Sequence, residues 1–188
     1  MTNANTSTAA KLAGLAAGTY NVDPAHSVVG FAVRHLMVSK VRGRFNEFTG
    51  TINVAEDPLA STVEAVAQVA SITTNDEQRD GHLKNSDFFD AEAFPTLTFK
   101  STSIRPDGDD FVLVGDLTIK DVTLPVEFEL EYEGASADPW GGSRIGFSAE
   151  AEINRKDFGM EWNMALETGG FVIGDKVKIT LDVEAVKA

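Results

Sequence analysis

The side chains best suited to moving protons or holding a metal near neutral pH are three histidines, His26, His35 and His82. Their spacing matches no His-x-x-x-His or His-Glu pattern that would set metal ligands on one helix face. The chain has no cysteine, which excludes disulfides, zinc–thiolate centres, iron–sulfur clusters and cysteine nucleophiles. It has no Gly-x-Ser-x-Gly elbow, P-loop or dinucleotide fingerprint. The glycine-rich "WGGSRIG", Trp140–Gly146, precedes strand-like sequence rather than a helix, so it does not read as a phosphate cradle. No catalytic residue, metal site or cofactor is assigned on this basis.

His35 is the most informative of the three. In "GFAVRHLMVS", Gly30–Ser39, counting in twos from Val29 places Val29, Phe31, Val33 and His35 on one face. A histidine therefore stands where a core residue belongs. Two readings follow. Either it lies near a barrel mouth and hydrogen-bonds a neighbouring strand or the helical insertion, or it is the polar mark beside a ligand head group.

The elements that must position it are strands. Val122, Leu124, Val126, Phe128, Leu130 and Tyr132 alternate with Thr123, Pro125, Glu127, Glu129, Glu131 and Glu133. This is one dry face and one wet, acidic face. The same period recurs around Ile145–Ile153, Val177–Val183 and Phe111–Ile119. Weaker strand signals cover Thr19–Val22, Ser27–Leu36, Val41–Val54, Val63–Ile72 and Thr96–Ile104. Turn signals separate them: Asp23-Pro24, Glu56-Asp57-Pro58, Pro106–Asp109 and Asp121, with Gly134–Gly142 read as a loop. Thr73–Phe89 breaks the pattern and reads as a short helix, N-capped by Asn75 or Asp76. Eight or nine antiparallel strands in an open sheet would leave long unpaired edges, and closure into an up-and-down barrel removes them. A two-sheet sandwich is the alternative.

Arg34, Lys40, Arg42 and Arg44 put four of the 16 basic residues within eleven positions of a chain with 29 acidic residues. With Met37–Ser39 as the turn, Arg34 falls near Arg42 outside, and Phe31 faces Phe45 inside. Neighbouring Asp and Glu are expected to balance these cations; contact with an anionic head group or partner is the alternative. The net charge of −13 argues against nucleic acid, whose affinity rests on Lys and Arg, and against docking on anionic lipid.

Twelve phenylalanines run through the strands and the insertion. Phe31, Phe45, Phe99, Phe128 and Phe147 are expected inside. Phe88, Phe89 and Phe94 are expected to cap one end. Met160, Trp162 and Met164 alternate near Phe158 and Phe171. Val33, Leu83 and Leu117 complete the candidate ligand-binding residues. A small barrel fills itself with such side chains, or holds one ligand. Small residues at Gly43, Ala65, Ala67, Gly115, Ala149 and Ala151 are expected to leave room for one.

Residues 1–17 lack the basic start and unbroken apolar run of a signal peptide and are expected to be a disordered tail, ahead of one barrel domain over 18–188. No stretch is apolar enough for a membrane helix, and the expected location is cytoplasmic.

Three segments then carry a resemblance. "DPAHSVVGFAVRHLMVSKVRGRFNEFTG" holds His26, Ser27, Phe31, Val33, His35, Val41, Gly43, Phe45, Phe48 and Gly50 in a recognisable opening hairpin. "RDGHLKNSDFFDAEAFPTLTFKS" holds Arg79, His82, Leu83, Phe88, Phe89, Pro95 and Phe99; "LTIKDVTLPV" and "INRKDFG" follow. Together they resemble the YceI-like family of lipocalin-like, polyisoprenoid-binding proteins, with Asp121 where that family often has glycine. The resemblance implies an all-β fold: an extended eight-stranded antiparallel barrel with a short helical insertion around an apolar channel. It implies an isoprenoid lipid or isoprenoid quinone as ligand and binding, storage or transport rather than catalysis. Two other functions stay open: a lipid-directed isomerase or hydrolase using His35 or His82, and a stress or assembly module with a filled barrel. A homodimer is also an open alternative.

Overall fold

The computed structural model describes residues 12–188. Among the described residues are eleven strands and one α-helix, in the order β1 (Gly18–Val22), β2 (Val28–His35), β3 (Ser39–Phe45), β4 (Phe48–Val54), β5 (Thr62–Gln68), β6 (Ile72–Thr73), α1 (Glu77–Lys84), β7 (Thr96–Asp107), β8 (Asp110–Ile119), β9 (Val122–Ala137), β10 (Ser143–Asn154) and β11 (Ile173–Lys187).

These segments form an eight-stranded closed barrel. β1 and β2 lie end to end against β11, β3 and β4 end to end against them, and β5 and β6 end to end against those. β7 to β10 follow in sequence, and β11 closes the ring through Tyr20↔Lys187 and Val33↔Val177. All pairings are antiparallel, as the alternation requires. The sandwich alternative is thereby excluded.

The first three strands are each interrupted at the same level. Asp23–Ser27 separates β1 from β2, Asn46-Glu47 separates β3 from β4, and a 3-10 turn at Val69–Ser71 separates β5 from β6. Ser71 ties two interruptions together, its hydroxyl accepting from the Glu47 N–H at 2.9 Å and donating to the Gln68 carbonyl at 2.7 Å. The Asn46 N–H donates to the Ser71 carbonyl. Extra residues in paired strands bend a sheet, which is how a flat ladder curves into a wall.

β6 is two residues long and β7 starts only at Thr96. The insertion fills the gap between them. Asp76 caps α1, accepting from the Arg79 N–H at 2.9 Å, while Asn75 takes a positive φ of 60° just before it. Arg79 also donates to the Thr74 hydroxyl and carbonyl, and Asp80 accepts from the Thr74 N–H and hydroxyl.

The structure corrects two expectations in the strand connections. The first hairpin turns at Leu36–Val38, so Phe31 pairs with Gly43 and Arg34 with Lys40; Phe31 and Phe45 meet only diagonally, ring centroids 6.0 Å apart. The first part of the expected loop at Gly134–Gly142 is strand, because β9 runs to Ala137, Gly134 pairing with Gly146 beside a bulge at Glu133; the turn itself is confined to 138–142. Asp121 needs no glycine-like backbone, because Lys120 takes the positive φ in that turn.

Gly43 and Gly115 do not widen the interior. A Cβ on Gly43 would sit 2.3 Å from Phe31 Cζ, and one on Gly115 would sit 2.3 Å from Phe99 Cζ. Each glycine is the floor on which a neighbouring strand's ring lies. Gly115→Ala is therefore expected to cost about 1–3 kcal/mol, the usual range for overpacking. Part should return when Phe99→Leu is added, checked by urea denaturation of the two variants. Equal destabilisation with and without the second change would reject the ring-on-glycine packing.

Residues 1–11 of the expected tail lie outside the described residues. Within 12–17, Leu15 packs against Tyr20, and the Ala16 carbonyl accepts from the Tyr20 hydroxyl at 2.9 Å.

Candidate functional site: an apolar channel with one polar end

Inward positions of the eight strands enclose a cavity of about 680 Å³ that runs along the barrel. Its walls are almost entirely carbon. The end carrying the β9–β10 hairpin is lined by Leu12, Leu15 and Leu59. The other end, where α1 and the 159–172 loop sit, gathers His35, Gln78, Arg79, His82 and Arg155. The histidines and arginines of the lining thus gather at one end, while the rest of the wall carries only the hydroxyls of Thr49, Ser61 and Thr98, a geometry suited to a long apolar molecule with a polar head.

Most of the residues expected at the ligand site do line this cavity. Phe31, Val33, His35 and Phe45 do so from the first hairpin, and Leu83, Phe88 and Phe89 from the insertion. Phe99, Leu117, Phe128 and Phe147 line the far wall, and Met160 and Trp162 the rim. Edge-to-face ring contacts fix them: Phe45 with Phe89 at 5.9 Å, Phe99 with Phe128 at 5.3 Å, and His82 with Trp162 at 4.6 Å. Three expected residues do not line it. Phe158 is buried in the wall behind the cavity, on a 3-10 turn capped by Asn154. Met164 and Phe171 are exposed, because Ala165 and Phe171 bridge into a small hairpin that turns outward. Phe94 does not reach the cavity either. Of the small residues, Ala65, Ala67 and Ala149 face it, whereas Gly43, Gly115 and Ala151 do not.

His35 is half-buried on the cavity wall. Its imidazole makes no hydrogen bond among the described residues, so the expected bond to a strand or to the insertion is absent. His82 is held by Asp87 at 2.8 Å and by the faces of Phe88 and Trp162. His82 and Asp87 form the one histidine–carboxylate pair at this end, and among the described residues no hydroxyl hydrogen-bonds to either His35 or His82.

Arg155 was hidden in the sequence among surface cations, yet it is 3% exposed. Its guanidinium donates to the carbonyls of Gly174 at 2.9 Å, Trp162 at 2.9 Å and Met160, and reaches Asp175 at 3.4 Å. Burial lowers its pKa, opposed by the Asp175 charge. One side chain thus ties the rim loop to the first residues of β11.

Among the described residues, one cluster has the ligand types for a metal: Asp23, His26 and Glu184. Its side chains are already engaged with one another and with Arg144, which also binds Asp138 at 3.1 Å. Asp23 Oδ2 receives His26 Nδ1 at 2.9 Å and Arg144 Nη1 at 3.0 Å, and the same guanidinium bonds Glu184. Ser27 exchanges hydrogen bonds with the Glu184 backbone. The cluster latches the β1–β2 interruption onto β10 and β11. The hydrogen bonds from His26 and then Arg144 hold the Asp23 carboxyl well below its ordinary range, at about 2. A lowered folded-state pKa gives stability that is complete above the unfolded value of about 4 and lost as pH falls towards about 2. Asp23→Asn is therefore expected to lower stability at neutral pH and to flatten the acid limb between about pH 4 and 2. Urea midpoints across that range are the check; an unchanged slope would show that another carboxylate controls it.

Comparison with known proteins agrees with this architecture. Residues 20–185 match the YceI-like domain. Protein YceI of Escherichia coli is 37% identical over 174 residues, covering 91% of this chain and 88% of that protein. Among solved structures, Burkholderia cenocepacia BcnA superposes with a TM-score of 0.76 at 23% identity, covering 87% of this chain and 98% of that one. A polyisoprenoid binding domain from Saccharophagus degradans, described as implicated in plant cell wall breakdown, gives 0.69 at 18% identity, covering 90% and 98%. With its closed eight-stranded barrel, the chain belongs to the YceI-like family.

Proposed function

We propose that the protein binds a long isoprenoid lipid, of polyprenyl or isoprenoid-quinone type, inside the barrel, and stores or carries it. The observation that carries this reading is the cavity of about 680 Å³, with largely apolar walls and its histidines and arginines gathered at one end. A prenyl chain has almost no hydrogen-bonding atoms, so carbon walls suffice, and each buried methylene contributes about 0.8 kcal/mol before ordering costs. A quinone-like head would lie at the α1 end, beside His35 and Arg79. The polyisoprenoid-binding description of the Saccharophagus degradans domain supports the same ligand class. An open cavity of this size argues against a filled-barrel module. The lipid-directed enzyme reading has one histidine–carboxylate pair, His82–Asp87, but no hydroxyl hydrogen-bonded to it among the described residues.

Trp162 lies on the rim and Trp140 is exposed at the far end, so the two indoles separate the ends of the channel. In a Trp140→Phe background, titration with a prenylated quinone is expected to quench Trp162 saturably. A quinone without the prenyl chain should quench far more weakly. Equal, unsaturable quenching by both would reject the binding site.

A further inference from the structure

The first hairpin ends in Leu36, Met37 and Val38, an apolar tip at the polar end of the channel. Met37 is 62% exposed and Val38 82%. Met164 and Phe171, 58% and 53% exposed, stand on the adjacent loop, where the Leu36 N–H donates to the Val172 carbonyl and Gly170 approaches the Met37 side chain. Leu36 and Met37 both take positive φ, 51° and 63°. Turn chemistry favours Asn or Gly at such positions, so the apolar residues are not there to make the turn.

Behind this tip, Arg34, Lys40, Arg42 and Arg44 occupy outward positions of β2 and β3, with Arg34 directly opposite Lys40. None of the four has a carboxylate within ion-pairing distance among the described residues. Residues 1–11 contain no Asp or Glu. The expected balancing acids are therefore absent. Several carboxylates of this side are engaged elsewhere: Glu150 with Lys178, Glu152 with Lys176, and Asp175 with Lys156. Glu47 after β3, Asp76 and Glu77 at the start of α1, Asp182 on β11, and Glu161 and Glu167 on the rim loop are the local opposing charges, and none of them ion-pairs with the four cations. The acidic row of β9, Glu127 to Glu133, lies three strands away through β10 and β11. At about 4.8 Å per strand that is beyond a Debye length of about 10 Å in 0.1 M salt. The net charge of −13 thus conceals a segregated basic face.

We propose that this rim docks on a membrane surface bearing anionic phospholipid head groups. Leu36–Val38, Met164 and Phe171 enter the interface, and Lys40 and Arg42, the cations of β3 nearest the tip, meet the phosphates. An exposed apolar tip backed by unpaired cations matches the chemistry of such a surface. The inference builds on the proposed lipid container: docking would set the polar end of the channel against the bilayer from which an isoprenoid is drawn.

The test is co-sedimentation with phosphatidylglycerol-rich vesicles and with pure phosphatidylcholine vesicles, neither containing isoprenoid. Binding is expected to the first, weakening as salt is raised, and to fall roughly tenfold or more in Lys40→Glu/Arg42→Glu. Met37→Asp/Val38→Asp should also lose it. None of these four side chains lines the cavity, so uptake of prenylated quinone from detergent-free solution should be retained in both variants, which also reports folding. Failure of the wild type to sediment, or undiminished sedimentation of both variants, overturns the proposal. So does a dimer that Met37→Asp/Val38→Asp splits without any vesicle binding, since the patch would then be an interface between copies. Vesicle binding without quinone uptake would instead remove the container reading and leave docking standing.

Discussion

Placing phenylalanine at both Ala65 and Ala149 is expected to close the channel while leaving the barrel folded. Ala65 lies on β5 and Ala149 on β10, four strands apart in a ring of eight, and both line the cavity from opposite walls. Two rings inserted there would occupy space that a prenyl chain needs. Displacing about three methylenes from contact removes roughly 2–3 kcal/mol, or about fiftyfold in affinity. The same insertion into a filled core costs about 1–3 kcal/mol through strain. Here the cavity receives the rings, so the stability loss should fall at or below the low end of that range. Each single variant should show an intermediate affinity. Ligand titration by Trp162 quenching, with urea denaturation in parallel, separates the two effects. Unchanged affinity in the double variant would mean that the ligand does not pass between these walls.

The second large effect is expected at Arg155. Replacing it by Met keeps much of the buried volume but leaves the Met160, Trp162 and Gly174 carbonyls without this donor. Buried acceptors that lose their partner cost about 1–3 kcal/mol each, reduced where water can enter. A total loss of about 3–4 kcal/mol is expected, read as a lower urea midpoint with an unchanged slope. Arg155→Lys should recover only part, because one ammonium cannot reproduce the planar fork that reaches three carbonyls. Trp162, freed with the rim loop, should also lose sensitivity to ligand. Stability equal to that of the parent protein would show that backbone bonds alone hold the loop.

These two sites differ in how far the sequence announced them. Ala65 and Ala149 were legible, because period-two alternation assigns each to the inward face and their size marks them as gaps in the wall. The strand Val122–Tyr132 was legible for the same reason: one face is dry, the other wet. The segmentation of the first strands was half visible. Val41, Gly43 and Phe45 are inward at odd positions, and Phe48, Ile52 and Val54 at even ones, so the phase slips at Asn46-Glu47, where the strand is interrupted. Arg155 was not legible. Its motif, "INRKDFG", supported the resemblance, but its partners are backbone carbonyls, which carry no sequence signature. Gly43 and Gly115 misled for a related reason, since what fills the space over a glycine is decided by the strand beside it. The outward hairpin around Met164 and Phe171 likewise depends on one long-range bridge that alternation could not show.

His35 illustrates what position adds to pattern. Its place on the inward face was read correctly from alternation. The expected structural hydrogen bond is absent, which leaves a donor and acceptor on the channel wall near Arg79 and Arg155. That is where the proposed head group would find polar contacts.

Native mass spectrometry of freshly purified protein, with organic extraction of the same sample, tests the central claim most directly. A retained adduct is expected, or one formed on addition of a prenylated quinone, that extracts as an isoprenoid lipid and is lost in Ala65→Phe/Ala149→Phe. A single apo mass before and after addition, with no isoprenoid in the extract, would contradict it.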